Sequence, residues 1–406
     1  MVVSQKKLAL YCVYLQMICY SLSKLLLYGR GTWTSNTAGN FYRITASVSS
    51  LDQNLLICSA VLGLLASIIM ICSKRNGMSQ THFVCGALIF VISGIWTIIT
   101  VMDVGISPIL VGNFPPSVFL VLGVILIGFD DELFVHFSKV CGIFATVFFI
   151  ISLYFAVQFI LLYGAVGVRF GTSHVLYFFQ MGLWTLAAYV LGTDINERTK
   201  LKIVLLILCA LLSIIILSRG WIIQMGILFV LYVMKLNKSQ GKKVSLKGML
   251  SFMSIMIALS FITEHYLSDQ WATLLSRSTE DTRTQQIIQF FQQVNVRNLV
   301  TGGGYSANYS WLGRDYGAID NQILLTMFRY GIIVTVLYLA IFVVPVFGAL
   351  KRHRIDYIFG INVMWLLAMA GLSIYCTINI DITQMVVLVV AGHNIKACRN
   401  RREYIS

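Results

Sequence analysis

The chain has 406 residues, 58% of them apolar and only 11% Asp, Glu, Lys or Arg. A soluble domain carries about 25% charge and the mean hydropathy here is +0.82, so an ordinary soluble enzyme is excluded; four prolines and 31 glycines likewise exclude a disordered or collagen-like chain. The formal net charge of +14 does not point to nucleic acid, because the basic residues lie in short loops between apolar runs, where membrane topology uses them.

Those apolar runs fall at about 8–28, 55–72, 83–101, 117–129, 140–163, 174–192, 203–217, 221–234, 249–263, 321–346, 358–378 and 382–397. Each is expected to be a helix, since lipid offers no partner for open backbone groups. The first run is long for a signal peptide and lacks a small-x-small exit, so it reads as an uncleaved span. The sequence therefore predicts an all-α polytopic integral membrane protein with about 12 transmembrane helices. Nine lie within residues 1–263, a large outer loop occupies 264–320, and three more spans and a tail fill 321–406. The nine cysteines lie in or beside apolar runs without a CxxC, and the six histidines have no paired spacing. No disulfide framework, metal site or cofactor is expected.

Charge sets the orientation. With the N-terminus inside, twenty basic residues fall on the inner side and eight on the outer side, which satisfies the positive-inside rule with both termini cytoplasmic. Lys24 and Arg329 fall within spans. The outer eight (Arg30, Arg43, Arg169, Arg219, Arg277, Arg283, Arg297 and Arg314) are all arginine. The planar guanidinium fork suits bidentate phosphate binding; chance and selection against translocated lysine explain the bias equally well.

In chain order, Asp130-Asp131-Glu132 comes first and reads as a solvated inner loop. Ser218-Arg219-Gly220 joins two runs of only 15 and 14 residues, roughly 22 Å of helix each against about 30 Å of hydrocarbon. That predicts a recessed hairpin tip with Arg219 at membrane depth, where an ionised group usually lines a cavity or binds a partner. An arginine reaching for lipid phosphates is the other reading. In the outer loop, Ser278-Thr-Glu-Asp281 fits a capping box. Ile287, Phe291 and Val294 then form an apolar stripe opposed by glutamines, an amphipathic helix lying on the membrane or over the bundle. Arg283 extends that stripe by one turn, and Arg277 stands at the helix entrance, where an anion is favoured. Gly302-Gly303-Gly304 permits close backbone approach without the Lys-Ser/Thr of a P-loop. Tyr305 and its aromatic neighbours suit either sugar stacking or an interfacial belt. Arg314, Asp320 and Asn321 follow.

Taken together, the Ser-Arg-Gly hairpin (218–220), a lysine-rich inner loop, "TRTQQIIQFF", "GGGYS" and "DNQILLTMFRYGIIVTVLYL" resemble the O-antigen polymerase and ligase superfamily of bacterial envelopes. The resemblance covers roughly residues 200 to 350. It implies a GT-C-like, metal-independent glycosyltransferase acting at the outer face of the inner membrane, facing the periplasm, on sugar units carried by undecaprenyl pyrophosphate. Arg219 and Arg283, with Arg277, would hold the pyrophosphate leaving group. Gly303, Gly304, Tyr305, Arg314, Asn321 and Glu264 would border the substrate. Asp320 stands where the ligases carry histidine, which favours polymerase over ligase; Asp320, then Glu264, are the carboxylates suited to act as general base. Chain length would be set by a separate regulator protein. The alternatives are a ligase moving glycan onto lipid A–core and a flippase for lipid-linked units.

Overall fold

Long runs of Leu, Ile, Val and Phe with few charges fold as helices, because only a helix satisfies every backbone group within its own segment. The computed structural model describes residues 4–35, 41–73, 80–107, 121–163, 169–170, 174–216, 219–239, 282–317, 319, 321–351, 357–372 and 380–400. Its helices are α1 (Gln5–Gly29), α2 (Ser50–Ser73), α3 (Gln80–Val104), α4 (Ile125–Gly128), α5 (Asp131–Tyr163), α6 (His174–Gly192), α7 (Thr199–Ile215), α8 (Arg219–Ser239), α9 (Thr282–Gln293), α10 (Val296–Thr301), α11 (Gln322–Lys351), α12 (Phe359–Leu367) and α13 (Ile382–Asn400). Among the described residues six helices are long and apolar enough to cross a membrane, namely α1, α2, α5, α6, α8 and α11. Shorter apolar stretches occur in α3, α12 and α13. The chain is thus a helical membrane protein. The expected span at 249–263 lies outside the described residues.

One expected span is corrected. Over residues 121–130 the run placed at 117–129 forms a 3-10 turn (Leu122–Val124) and the four-residue α4, far short of a bilayer's thickness. The reason is packing. A Cβ on Gly128 would sit 2.0 Å from the Val389 carbonyl, and one on Gly392 would sit 1.9 Å from that of Ile125. Only paired glycines let α4 press its backbone against α13, the small-residue contact typical of packed membrane helices.

Helices α6 and α13 form the centre. From Val175 to Leu191 almost every α6 side chain is buried, as are residues 380–391. A helix apolar all round belongs inside. The outer helices invert the soluble pattern: on α1, Leu8, Tyr11, Leu15, Ile18, Leu22 and Leu26 are exposed at helical spacing, a face suited to lipid.

Charged groups gather at one end of the bundle. Lys6 meets Asp130 at 3.0 Å, Lys7 meets Glu132 at 3.5 Å, Lys139 meets Glu197 at 3.0 Å and Lys396 meets Asp131 at 2.6 Å. The acidic triplet at 130–132 thus ties α1 and α13 to the head of α5. Lys235, expected in a loop, extends α8 and donates to the carbonyls of Leu191 (2.8 Å) and Thr193 (2.6 Å). It caps the open C-terminus of α6, where a cation also complements the dipole. Replacing Lys235 with Met should lower stability by about 1.5–3 kcal/mol, the worth of charge-assisted hydrogen bonds. Asp131→Asn, at a pair whose carboxylate is 68% exposed, should cost under about 1 kcal/mol. Thermal unfolding of the detergent-solubilised protein measures both.

The opposite end carries short strands that the apolar pattern does not announce. β1 (Thr32–Ser35) and β2 (Phe41–Thr45) form a hairpin, and β3 (Arg169–Phe170) adds in parallel to β2. β4 (Tyr309–Trp311) and β5 (Arg314–Tyr316) form a second hairpin. Its turn residues, Leu312 and Gly313, both have positive φ.

Candidate functional site

Helix α7 ends at Ile215 and α8 begins at Arg219, so Arg219 and Gly220 form the first turn of a helix, while Ser218 lies outside the described residues. The arms differ from expectation. α7 has 17 residues and α8 has 21, roughly 26 Å and 32 Å. Helix α8 continues through Lys235 because that lysine has carbonyls to cap, so the shortness of the arms no longer argues for a recessed tip. What fixes the level of Arg219 is its neighbour. α8 runs antiparallel to α12: Gln224 Nε2 donates to the Met364 carbonyl at 2.9 Å, and Lys238 lies over the Tyr357 ring at 5.5 Å. Extending that register sets the head of α8 opposite residues 369–372, a π-helical turn with Gly371 at φ 104°.

The same turn is held from the other side. Asn321 Nδ2 donates to the Ala370 carbonyl at 3.1 Å, while its Oδ1 accepts from the amides of Ile323 and Leu324, both at 3.1 Å. Asn321 is thus the N-cap of α11 and a tie between α11 and α12, which commits its amide group to the fold.

Beyond Asn321, the segment that precedes α11 packs on it around a small core of its own: Phe290, Tyr309, Ile319, Leu325 and Phe328. Phe290 is fully buried and meets Phe328 edge-on at 5.2 Å and Tyr309 at 5.3 Å. This corrects the expected stripe. Gln286 and Phe290 face inward, whereas Phe291 is 49% exposed and Ile288 52% exposed. Apolar residues occur on several faces of α9, so the partner ring on α11 decides which face is buried. Gln293 then clamps the hairpin, donating to the Ser310 carbonyl at 2.9 Å and accepting from its amide at 2.8 Å.

The triple glycine has a definite task. α11 is broken at Gly331 (φ 85°, ψ 168°), which removes helical partners from the carbonyls one turn earlier. Gly303 N–H donates to the Phe328 carbonyl at 2.8 Å, and Gly304 N–H to that of Arg329 at 2.9 Å. The approach requires glycine on both sides: a Cβ on Gly302 would lie 2.7 Å from the Arg329 carbonyl, and one on Gly331 would lie 2.7 Å from that of Val300. These amides are therefore engaged with the helix rather than offered to a ligand. α3 closes the join, with Trp96 edge-on to the buried Tyr330 at 5.5 Å and Asp103 accepting from Ser306 Oγ at 2.8 Å.

Arg329 sits inside this join. Its guanidinium lies over the Tyr305 ring at 5.2 Å and donates through Nη2 to the Gly317 carbonyl. Its Nε is buried without a hydrogen-bond partner. Sequence reasoning placed Arg329 in a span and passed over it, although an arginine within an apolar run is itself a signal. Of the other expected residues, Arg314 is exposed in β5 opposite Trp311. Arg283 is the second residue of α9. Glu264, Arg277 and Asp320 lie outside the described residues.

Both Arg219 and Arg283 thus occupy the first turn of a helix, the end where the macrodipole disfavours a cation by about 0.3–1 kcal/mol. An anion bound there would be favoured by the dipole and by the arginine together. Comparison with protein-family models, with curated proteins and with solved structures finds no match.

Proposed function

We propose that the chain is an O-antigen polymerase, a metal-independent glycosyltransferase that moves a growing glycan from one undecaprenyl pyrophosphate to the terminal sugar of another lipid-linked unit. The observation that carries this reading is mechanical. The words "TRTQQIIQFF", "GGGYS" and "DNQ…RYG", separate in sequence, interlock through Phe290 on Phe328 and through the glycine amides on the broken α11. The remaining word, Ser-Arg-Gly, heads the helix whose register leads to the turn that Asn321 holds.

The chemistry fits this constellation. Breaking a glycosyl–pyrophosphate bond puts charge on the departing phosphate, and preorganised arginines neutralise it without a metal. Arg219 and Arg283 take that role, with Arg277 beside them. Asp320, or failing it Glu264, takes the proton from the acceptor hydroxyl. The end of the bundle rich in Lys–carboxylate pairs is the cytoplasmic one in this reading, with both termini, and the opposite end faces the periplasm of a bacterial inner membrane. A separate regulator sets chain length.

Deleting the gene distinguishes the alternatives on a lipopolysaccharide gel. A polymerase deletion leaves cores bearing a single repeat. Bare core would assign the chain as a ligase, and units stranded on the cytoplasmic face would assign it as a flippase; either result removes the proposal.

A further inference from the structure

The geometry points to Arg329 as a further phosphate-binding residue of the donor site, one that reads the second phosphate of the pyrophosphate. The inference rests on the proposed function. It begins with an imbalance: α11 is a candidate membrane span, and a charge within a span is costly unless it meets a partner. At the opposite end of the bundle Lys6, Lys7, Lys139 and Lys396 each meet a carboxylate; Arg30, at the far end of α1 from Lys6, meets Asp52. Arg329 meets none among the described residues. One Nη donates to a neutral carbonyl, one ring face lies beneath the guanidinium plane, and the neutral Tyr330 side chain is its other neighbour. The buried Nε has no partner.

A guanidinium has five donors in one plane and accepts nothing. Stacking on Tyr305 occupies a face of that plane and leaves its edge for hydrogen bonds. The backbone is fixed on both sides of the residue: Gly304 binds the Arg329 carbonyl at 2.9 Å, Gly303 binds that of Phe328 at 2.8 Å, and the break at Gly331 follows at once. The fork is therefore held by the join between loop and helix rather than hanging free in lipid. A group so placed, charged and short of acceptors, suits an oxyanion with several acceptor atoms in bidentate geometry, and a phosphate is that ligand. Held at the outer part of α11, it would meet a phosphate borne on a lipid and entering from the bilayer.

The test uses the full-length protein in phosphatidylcholine nanodiscs, with undecaprenyl pyrophosphate and undecaprenyl monophosphate as probes. Wild type is expected to bind the pyrophosphate more tightly. Arg329→Gln should weaken pyrophosphate binding about tenfold or more while changing monophosphate binding much less, so that the preference between them collapses. Arg329→Lys, which keeps the charge and loses the fork, should retain an intermediate preference and serves if Arg329→Gln fails to fold. Equal weakening toward both lipids, or an unchanged ratio in both variants, overturns the role of Arg329 and leaves the proposed function standing. Competition by phosphatidylglycerol at equal concentration overturns it as well, by assigning the residue to headgroups. Failure of the wild type to bind pyrophosphate at all would remove the functional reading itself.

Discussion

Alanine at Arg219 or at Arg283 should abolish long glycan while the protein still accumulates normally in the membrane. The two halves of this result have separate causes. Under the proposed function activity falls because a cation at the departing phosphate acts where charge develops, and removing one such donor costs about 10²–10³ in rate. At that deficit the ladder on a lipopolysaccharide gel collapses toward a single repeat. Stability does not fall, because both residues stand in the first turn of a helix, α8 and α9. There a cation opposes the dipole by about 0.3–1 kcal/mol, and alanine propagates a helix at least as well as arginine. Lysine at either position should give an intermediate ladder, since it keeps the charge and loses the bidentate fork. Wild-type ladders in both alanine variants, with immunoblots showing equal protein, would remove these residues from the site.

The sequence discloses what hydropathy and glycine can encode. The long helices follow from runs of apolar residues, and the helix after residue 281 and the close approach at 302–304 occur as read. What it conceals depends on partners. The run at 117–129 reads as a span, yet over its described residues, from 121 on, Gly128 and Gly392 set it as a wedge against α13. Apolar residues 287, 288, 290, 291 and 294 leave the buried face of α9 open until Phe328 selects Phe290. Helix α8 outruns its apolar stretch because the carbonyls of α6 need Lys235. Asn321 reads as a substrate contact from its motif, but its hydrogen bonds are those of a cap. Arg329 was visible as a charge in a span; its meaning needed the Tyr305 ring and the break at Gly331. In each case the missing information is a contact between segments far apart in the chain.

Gly331→Ala should release the preceding segment, α9 to β5, from α11. The backbone there, at φ 85° and ψ 168°, lies in a region almost restricted to glycine, where another residue costs of order 1–3 kcal/mol. The added Cβ would also stand 2.7 Å from the Val300 carbonyl, with Thr301 backbone at 2.9 Å, so strain cannot relax without moving residues 300–301. Alanine favours a helix that continues through the break, which would return the carbonyls of Phe328 and Arg329 to helical partners. Gly303 and Gly304 would then lose their hydrogen bonds, each worth about 1 kcal/mol. The expected result is a stability loss of about 1–3 kcal/mol, whether the backbone keeps its strain or sheds it by giving up the two hydrogen bonds, with new protease cleavage between residues 295 and 317 and loss of long glycan. A graded comparison checks the cause. Gly302→Ala combines φ 86° with a Cβ 2.7 Å from the Arg329 carbonyl and should be nearly as damaging, whereas Gly304, at φ 91° with open space around it, should suffer from backbone strain alone. If Gly304→Ala proves the worst of the three, the join does not hold the segment in the manner described, and the link between the loop and Arg329 falls with it.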